Sequence, residues 1–104
     1  LMKIEIQDNE LHRVFIIKGP LDSDTLRHLE KIFMDFLEND SRGAIVDIKD
    51  VGHIDSFSLA AFLKMKNRLL EEERRFKLIN PPDTVKKVIE IANLESLLLE
   101  DKEC

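Results

Sequence analysis

Residue types suited to chemistry concentrate in one stretch, Gly52-His53-Ile54-Asp55-Ser56-Phe57-Ser58-Leu59-Ala60-Ala61, where small polar residues open a helical pattern. Backbone N–H groups at a helix start lack intrahelical partners and together carry about half a positive charge. A hydroxyl placed there is exposed, and a phosphate on it is tolerated locally. Such a phosphate adds about −1.5 to −2 charge to whatever surface faces a partner. Ser56 is therefore a credible phosphoacceptor. The same residues also read as a plain N-cap, with Asp55 or Ser56 accepting from first-turn N–H groups. A serine at a helix start is common, and its type alone leaves both readings open.

Other chemistries find little support. Neither a G-x-x-x-x-G-K-[ST] loop nor a G-x-G-x-x-G turn is present, so both phosphate-cradling fingerprints are missing. His12, His28 and His53 fall in different segments without metal-ligand spacing, and His12 and His28 are expected to face solvent. No serine sits in a G-x-S-x-G elbow, and the single cysteine, Cys104, is the last residue and is read as inert. Asp47 and Asp50 at a strand end are more often caps and loop residues than an acid–base pair. No cofactor, metal or enzymatic activity is expected, for want of a convergent set of groups. Sixteen basic residues against twenty-one acidic ones give a net charge of −5, and neither Trp nor Tyr is present. That balance repels a phosphate backbone and offers no base-stacking platform, which argues against nucleic-acid binding. No apolar run approaches the roughly 18 residues of a membrane span. The start lacks a secretory pattern, so a cytoplasmic protein is expected.

The elements that must position this stretch are legible from periodicity. At 104 residues the chain suits a single domain over 1–104. Lys3 to Gln7 alternates, with Ile4 and Ile6 against polar neighbours, and Leu11 to Lys18 is β-branched and aromatic. With Asp8-Asn9-Glu10 as the turn, the two form a hairpin that Gly19-Pro20 stops. Asp22 or Ser23 caps a helix from about Asp24 to Glu38, marked by Leu26, Leu29, Ile32, Phe33, Phe36 and Leu37. Ala44 to Ile48 reads as a buried strand, Lys49 to Asp55 as a loop, and Ser56 to Glu73 as a second helix. On that helix Leu59, Phe62, Leu63, Met65, Leu69 and Leu70 form an apolar arc, into which Lys66 intrudes with its stem packed and its ammonium reaching out. Phe76 to Ile79 is a strand, and Pro81-Pro82-Asp83 opens a third helix with Val85, Val88, Ile89 and Ala92 on one face. Leu97-Leu98-Leu99 is expected to be a last short strand. The order β-β-α-β-α-β-α-β with right-handed crossovers implies an α/β fold, a mixed four- to five-stranded sheet with helices packed on it.

The segment Ile54 to Leu59 resembles the signature of the STAS domain, the fold shared by sulfate transporter tails and anti-sigma factor antagonists: an apolar residue, Asp, Ser, a variable residue, a small residue, then an aliphatic one. Gly19-Pro20-Leu21-Asp22 resembles the G-x-L-D segment before that family's first helix, and Ala44 to Asp47 resembles the strand before its signature. The resemblance covers nearly the whole chain, although the family's usual final helix is not evident. It implies that Ser56 stands where antagonists are phosphorylated by a partner that is both serine kinase and anti-sigma factor, and that phosphorylation breaks the complex. Asp22, Ser23, His53, Asp55, Phe57 and Ser58 would then form the docking rim, with Phe57 either an anchor or packed on a neighbouring strand. Ser58 replaces the usual Gly and offers a second choice of acceptor hydroxyl.

The resulting expectation is an anti-sigma factor antagonist that regulates transcription indirectly and self-associates weakly if at all. The alternatives are a constitutive STAS scaffold or small-ligand-binding domain without a switch, and, less favoured, a receiver-like domain phosphorylated on Asp47 or Asp50. The last needs a carboxylate cluster to hold Mg²⁺, whereas Asp8 and Glu10 sit in a hairpin turn.

Overall fold

A computed structural model describes residues 4–99 of the protein. The elements run in the order β1 (Ile4–Asp8), β2 (His12–Ile17), α1 (Ser23–Asn39), β3 (Gly43–Asp47), α2 (Ser56–Leu70), β4 (Phe76–Ile79), α3 (Asp83–Ile91) and α4 (Glu95–Leu98). β1 and β2 pair antiparallel, with Ile6 opposite Phe15. Asn9 closes their turn, its side-chain oxygen accepting from the N–H groups of Leu11 and His12 at 2.9 and 2.8 Å. β3 lies parallel to β2 and β4 parallel to β3, giving a four-stranded sheet of order β1-β2-β3-β4. Both parallel steps go the same way across the sheet, so right-handed crossovers put α1 and α2 on one face.

That face presents Phe15, Ile17, Ala44, Val46, Phe76 and Leu78, all at most 2 % exposed. Leu29, Phe33 and Phe36 of α1 and Phe62, Met65 and Leu69 of α2 complete the core with them. Fully burying a large apolar side chain contributes about 1.5–3 kcal/mol, so this layer is the main stabilising feature. The opposite face carries Gln7, Val14, Ile45 and Lys77, none fully buried. Arg74 ties the layers together at the carboxyl end of α1. Its side chain, 6 % exposed, donates to the carbonyls of Leu37 and Arg42 and to Glu72. The Leu37 carbonyl lies in the last turn of α1 and has no intrahelical partner, so this bond supplies one. Gly43 sits where a Cβ would lie 2.9 Å from the Arg75 carbonyl oxygen, which reserves the start of β3 for glycine.

Several boundaries differ from the sequence expectation. Leu97–Leu99 is not a fifth strand: Glu95–Leu98 forms α4, and the Leu98 N–H donates to the Leu94 carbonyl at 2.9 Å. A leucine triplet carries no period of its own, and in the helical turn Leu98 is fully buried while Leu97 is 44 % exposed. α2 ends at Leu70 and not at Glu73, since Glu71, Glu72 and Glu73 would stack negative charge on the negative end of the helix dipole. Glu73 turns left-handed at φ 59° to leave it. Leu70 is 59 % exposed and lies outside the apolar arc. Lys66 is half-buried, and its ammonium reaches the Phe76 carbonyl at 3.5 Å. His12 and His28 are half-buried rather than solvent-facing. Lys3 and Cys104 lie outside the described residues.

Candidate functional site

Every parallel strand delivers the chain to a helix start at one end of the sheet, which gathers helix N-termini there. β2 leads through Gly19 to α1, and β3 leads through residues 48–55 to α2. Gly19 makes the first of these bends at φ +118°, a conformation that side chains rarely adopt. The second loop is pinned from beneath by Ile48, Val51 and Ile54, each at most 6 % exposed. Thr84 of α3 also donates its hydroxyl to the Gly52 carbonyl at 2.9 Å. Asp47, the buried last residue of β3, accepts from the Lys49 N–H at 3.1 Å and so anchors the start of this loop.

Both helices begin alike. Asp22 is the N-cap of α1 and accepts from the Thr25 N–H at 2.8 Å. Asp55 is the N-cap of α2 and accepts from the Ser58 N–H at 2.9 Å. The residue after each cap, Ser23 and Ser56, becomes the first helical residue, and both are exposed. The sequence left Asp55 and Ser56 as rival caps; the geometry gives the role to Asp55. Ser58 is 2 % exposed. Its N–H first, and then its hydroxyl, hold the Asp55 carboxyl below the usual carboxylate range, with a smaller contribution from His53. Thr25 does the same for Asp22 through its N–H and then its hydroxyl.

The two landmarks meet across a shallow depression of about 340 Å³. Asp22, Ser23, His53, Asp55, Phe57 and Ser58 all line it. Pro20, Leu21 and Leu26 line it as well, and the sequence put none of the three on the rim. Leu26 is only half-buried, and its position one turn past the Asp22 cap was the available signal. Ser56 is exposed and does not itself line the depression, although its chain neighbours Asp55 and Phe57 do. Phe57 is 77 % exposed, so it does not pack on a neighbouring strand. A large exposed aromatic beside an apolar hollow is a common feature of docking surfaces.

Other groups lie apart from this end. Asp8 sits at the opposite end of the sheet, held by Arg13 and Arg42 at 2.8 and 3.1 Å. It therefore forms no cluster with Asp47 or Asp50. Among the described residues no group of three His, Cys, Asp or Glu is placed to hold a metal ion. No described helix is long and apolar enough to cross a membrane.

The sequence and architecture match known proteins along nearly the full length. The anti-sigma-B factor antagonist of Staphylococcus aureus (strain NCTC 8325 / PS 47) is 22 % identical over 99 residues, covering 93 % of this chain and 92 % of its own. A proposed anti-sigma factor antagonist from Thermotoga maritima superposes with a TM-score of 0.82 at 21 % identity, over 91 % of this chain and 82 % of that one. The antagonist SpoIIAA in its unphosphorylated form gives a TM-score of 0.77 at 20 % identity, over 96 % and 89 % of the two chains. The Bacillus cell fate determinant SpoIIAA in its phosphorylated form gives 0.74 at 17 % identity, over 96 % and 92 %. Residues 3–102 match the family model of the STAS domain, and the chain belongs to that family.

Proposed function

We propose that this chain is an anti-sigma factor antagonist whose depression at the helix starts docks an anti-sigma factor with serine kinase activity, and that phosphorylation of Ser56 releases that partner. It acts in the cytoplasm by binding and performs no catalysis. The observation that carries this reading is the division of labour at the start of α2. Asp55 supplies the cap, which leaves the Ser56 hydroxyl exposed beside an exposed Phe57. Ser58 is buried under the cap, so a kinase reaches Ser56 without opening the helix and does not reach Ser58. Ser58 acts instead as a positioning residue for Asp55.

A phosphate on Ser56 adds about −1.5 to −2 charge next to the ionised Asp55 and Asp22. The helix N-terminus tolerates it, so the fold persists and the effect falls on the interface. A partner seated on Phe57 and the Leu21–Leu26 floor would have to strip water from that phosphate and bear its repulsion. Solved phosphorylated and unphosphorylated forms of SpoIIAA, a protein of the same fold, are consistent with such a cycle. The test is incubation with candidate serine kinases and ATP, followed by mapping of the product by mass spectrometry. One phosphate on Ser56 is expected. Modification of Ser58 would overturn the site, and no modification at either serine would leave a constitutive scaffold.

A further inference from the structure

The seam between α1 and α2 holds a second hollow, of about 150 Å³, separate from the helix-start depression. Phe33, Ala61 and Met65 form its floor, each at most 7 % exposed, and Met34, at 41 %, forms a lip. The short Ala61 side chain leaves the space open. Lys64 and Arg68 stand at the mouth, one turn apart on α2, with Glu30 contributed by α1. Among the described residues Lys64 has no ion-pair partner, and Arg68 reaches Glu71 only at 3.9 Å. The arginines at the other end of the molecule are different. Arg42 is engaged by Asp8, Asp40 and the Asn9 carbonyl, and Arg74 by Glu72 and two carbonyls.

We propose that the α1–α2 hollow binds a small amphiphilic anion, a carboxylate on a short acyl chain, with the chain on Phe33 and Met65 and the carboxylate between Lys64 and Arg68. At about 30 Å³ per water-sized group, the hollow takes roughly five carbon-sized groups, the tail of a hexanoate. Methionines at the lip and floor adapt to such a chain, because the thioether is flexible and polarizable. The two cations outnumber Glu30 and select the anion over an amine of equal length. This inference does not rest on the phospho-switch, since neither Ser56 nor Asp55 lines the hollow.

The test is a titration of the full chain, carrying ¹³C-methyl methionine, with hexanoate, hexan-1-ol and hexylamine in turn. Hexanoate should shift the Met34 and Met65 methyl signals saturably, hexan-1-ol should bind about tenfold more weakly, and hexylamine should leave both signals in place. The double variant Lys64→Glu/Arg68→Glu, at surface positions that leave the core intact, should reverse the order of acid and amine. Ala61→Leu should fill the hollow and abolish the hexanoate response. Absence of a saturable shift, equal responses to the three probes, or an unaltered order in the double variant would each overturn the assignment. So would methyl shifts that follow protein concentration alone, which would mean that a second copy covers the seam.

Discussion

Replacing Arg74 with methionine tests whether one buried cation holds the helix layer to the sheet. The substitution removes donors from the Leu37 carbonyl at 3.1 Å and the Arg42 carbonyl at 2.8 Å. Stranding a buried acceptor costs about 1–3 kcal/mol, so two cost roughly 2–6 if both stay dry. The guanidinium also lies 5.0 Å from the Phe36 ring centroid, a contact that methionine retains in part through its apolar stem. An opposing effect comes from Nη2 of Arg74, which is buried without a hydrogen-bond partner among the described residues. Removing that donor returns about 1–3 kcal/mol. Glu72 loses its partner but is 51 % exposed and rehydrates at little cost. The balance is a destabilisation of about 1–3 kcal/mol, which moves a urea midpoint down by roughly 1 M for a domain of this size. Urea unfolding followed by far-ultraviolet circular dichroism measures it directly. A midpoint equal to or above that of the unmodified chain would refute the reasoning, and would mean that the cost of burying the cation outweighs the bonds it makes.

Three further outcomes are expected. Phe57→Ala should leave the melting temperature within about 2–4 °C, because the ring is mostly in water, while weakening kinase binding about tenfold or more in calorimetry; unchanged binding would remove Phe57 from the interface. Asp22 and Asp55 are held below the unfolded carboxylate value of 3.8, so their stabilising effect is fully present above that pH and is lost as pH falls below it. Melts should therefore agree at about pH 7 and 5 and drop from about pH 4 downward, with a shallower drop in Asp22→Asn/Asp55→Asn; an unchanged slope in that variant would contradict the assignment. Gly43→Ala should cost about 1–3 kcal/mol in urea unfolding, because its Cβ meets backbone and cannot be accommodated by a rotamer change; a neutral result would show that β3 and the Arg75 segment separate easily.

How far the sequence revealed this molecule depends on the element. Alternation in residues 4–7 and the apolar runs at 14–17 and 44–48 announced the strands, because a half-buried or buried strand must carry that pattern. The leucines at 97–99 announced nothing reliable, since their burial is decided by Leu98 docking on the finished core. The end of α2 was misplaced because the polar residues Glu71 to Glu73 carry no spacing signal either way, and it is their charge at the negative end of the helix dipole that stops the helix at Leu70. At the site, the two cap signals were visible but their assignment was not. Either of two adjacent residues can cap, and only the backbone geometry shows Asp22 and Asp55 doing so. Leu26 escaped because a leucine on a helix reads as core, whereas here it is half-buried at the floor of the depression.

The central claim is that a phosphate on Ser56, and not a change of fold, separates this chain from its partner. The most direct measurement is calorimetric titration of the partner kinase, with a nonhydrolysable nucleotide, into the unmodified and the Ser56-phosphorylated chain, alongside Ser56→Ala and Ser56→Asp. The unmodified chain and Ser56→Ala should bind alike, Ser56→Asp should bind more weakly, and the phosphorylated chain should bind on the order of a hundredfold more weakly. Equal affinity of the phosphorylated and unmodified chains would contradict the account.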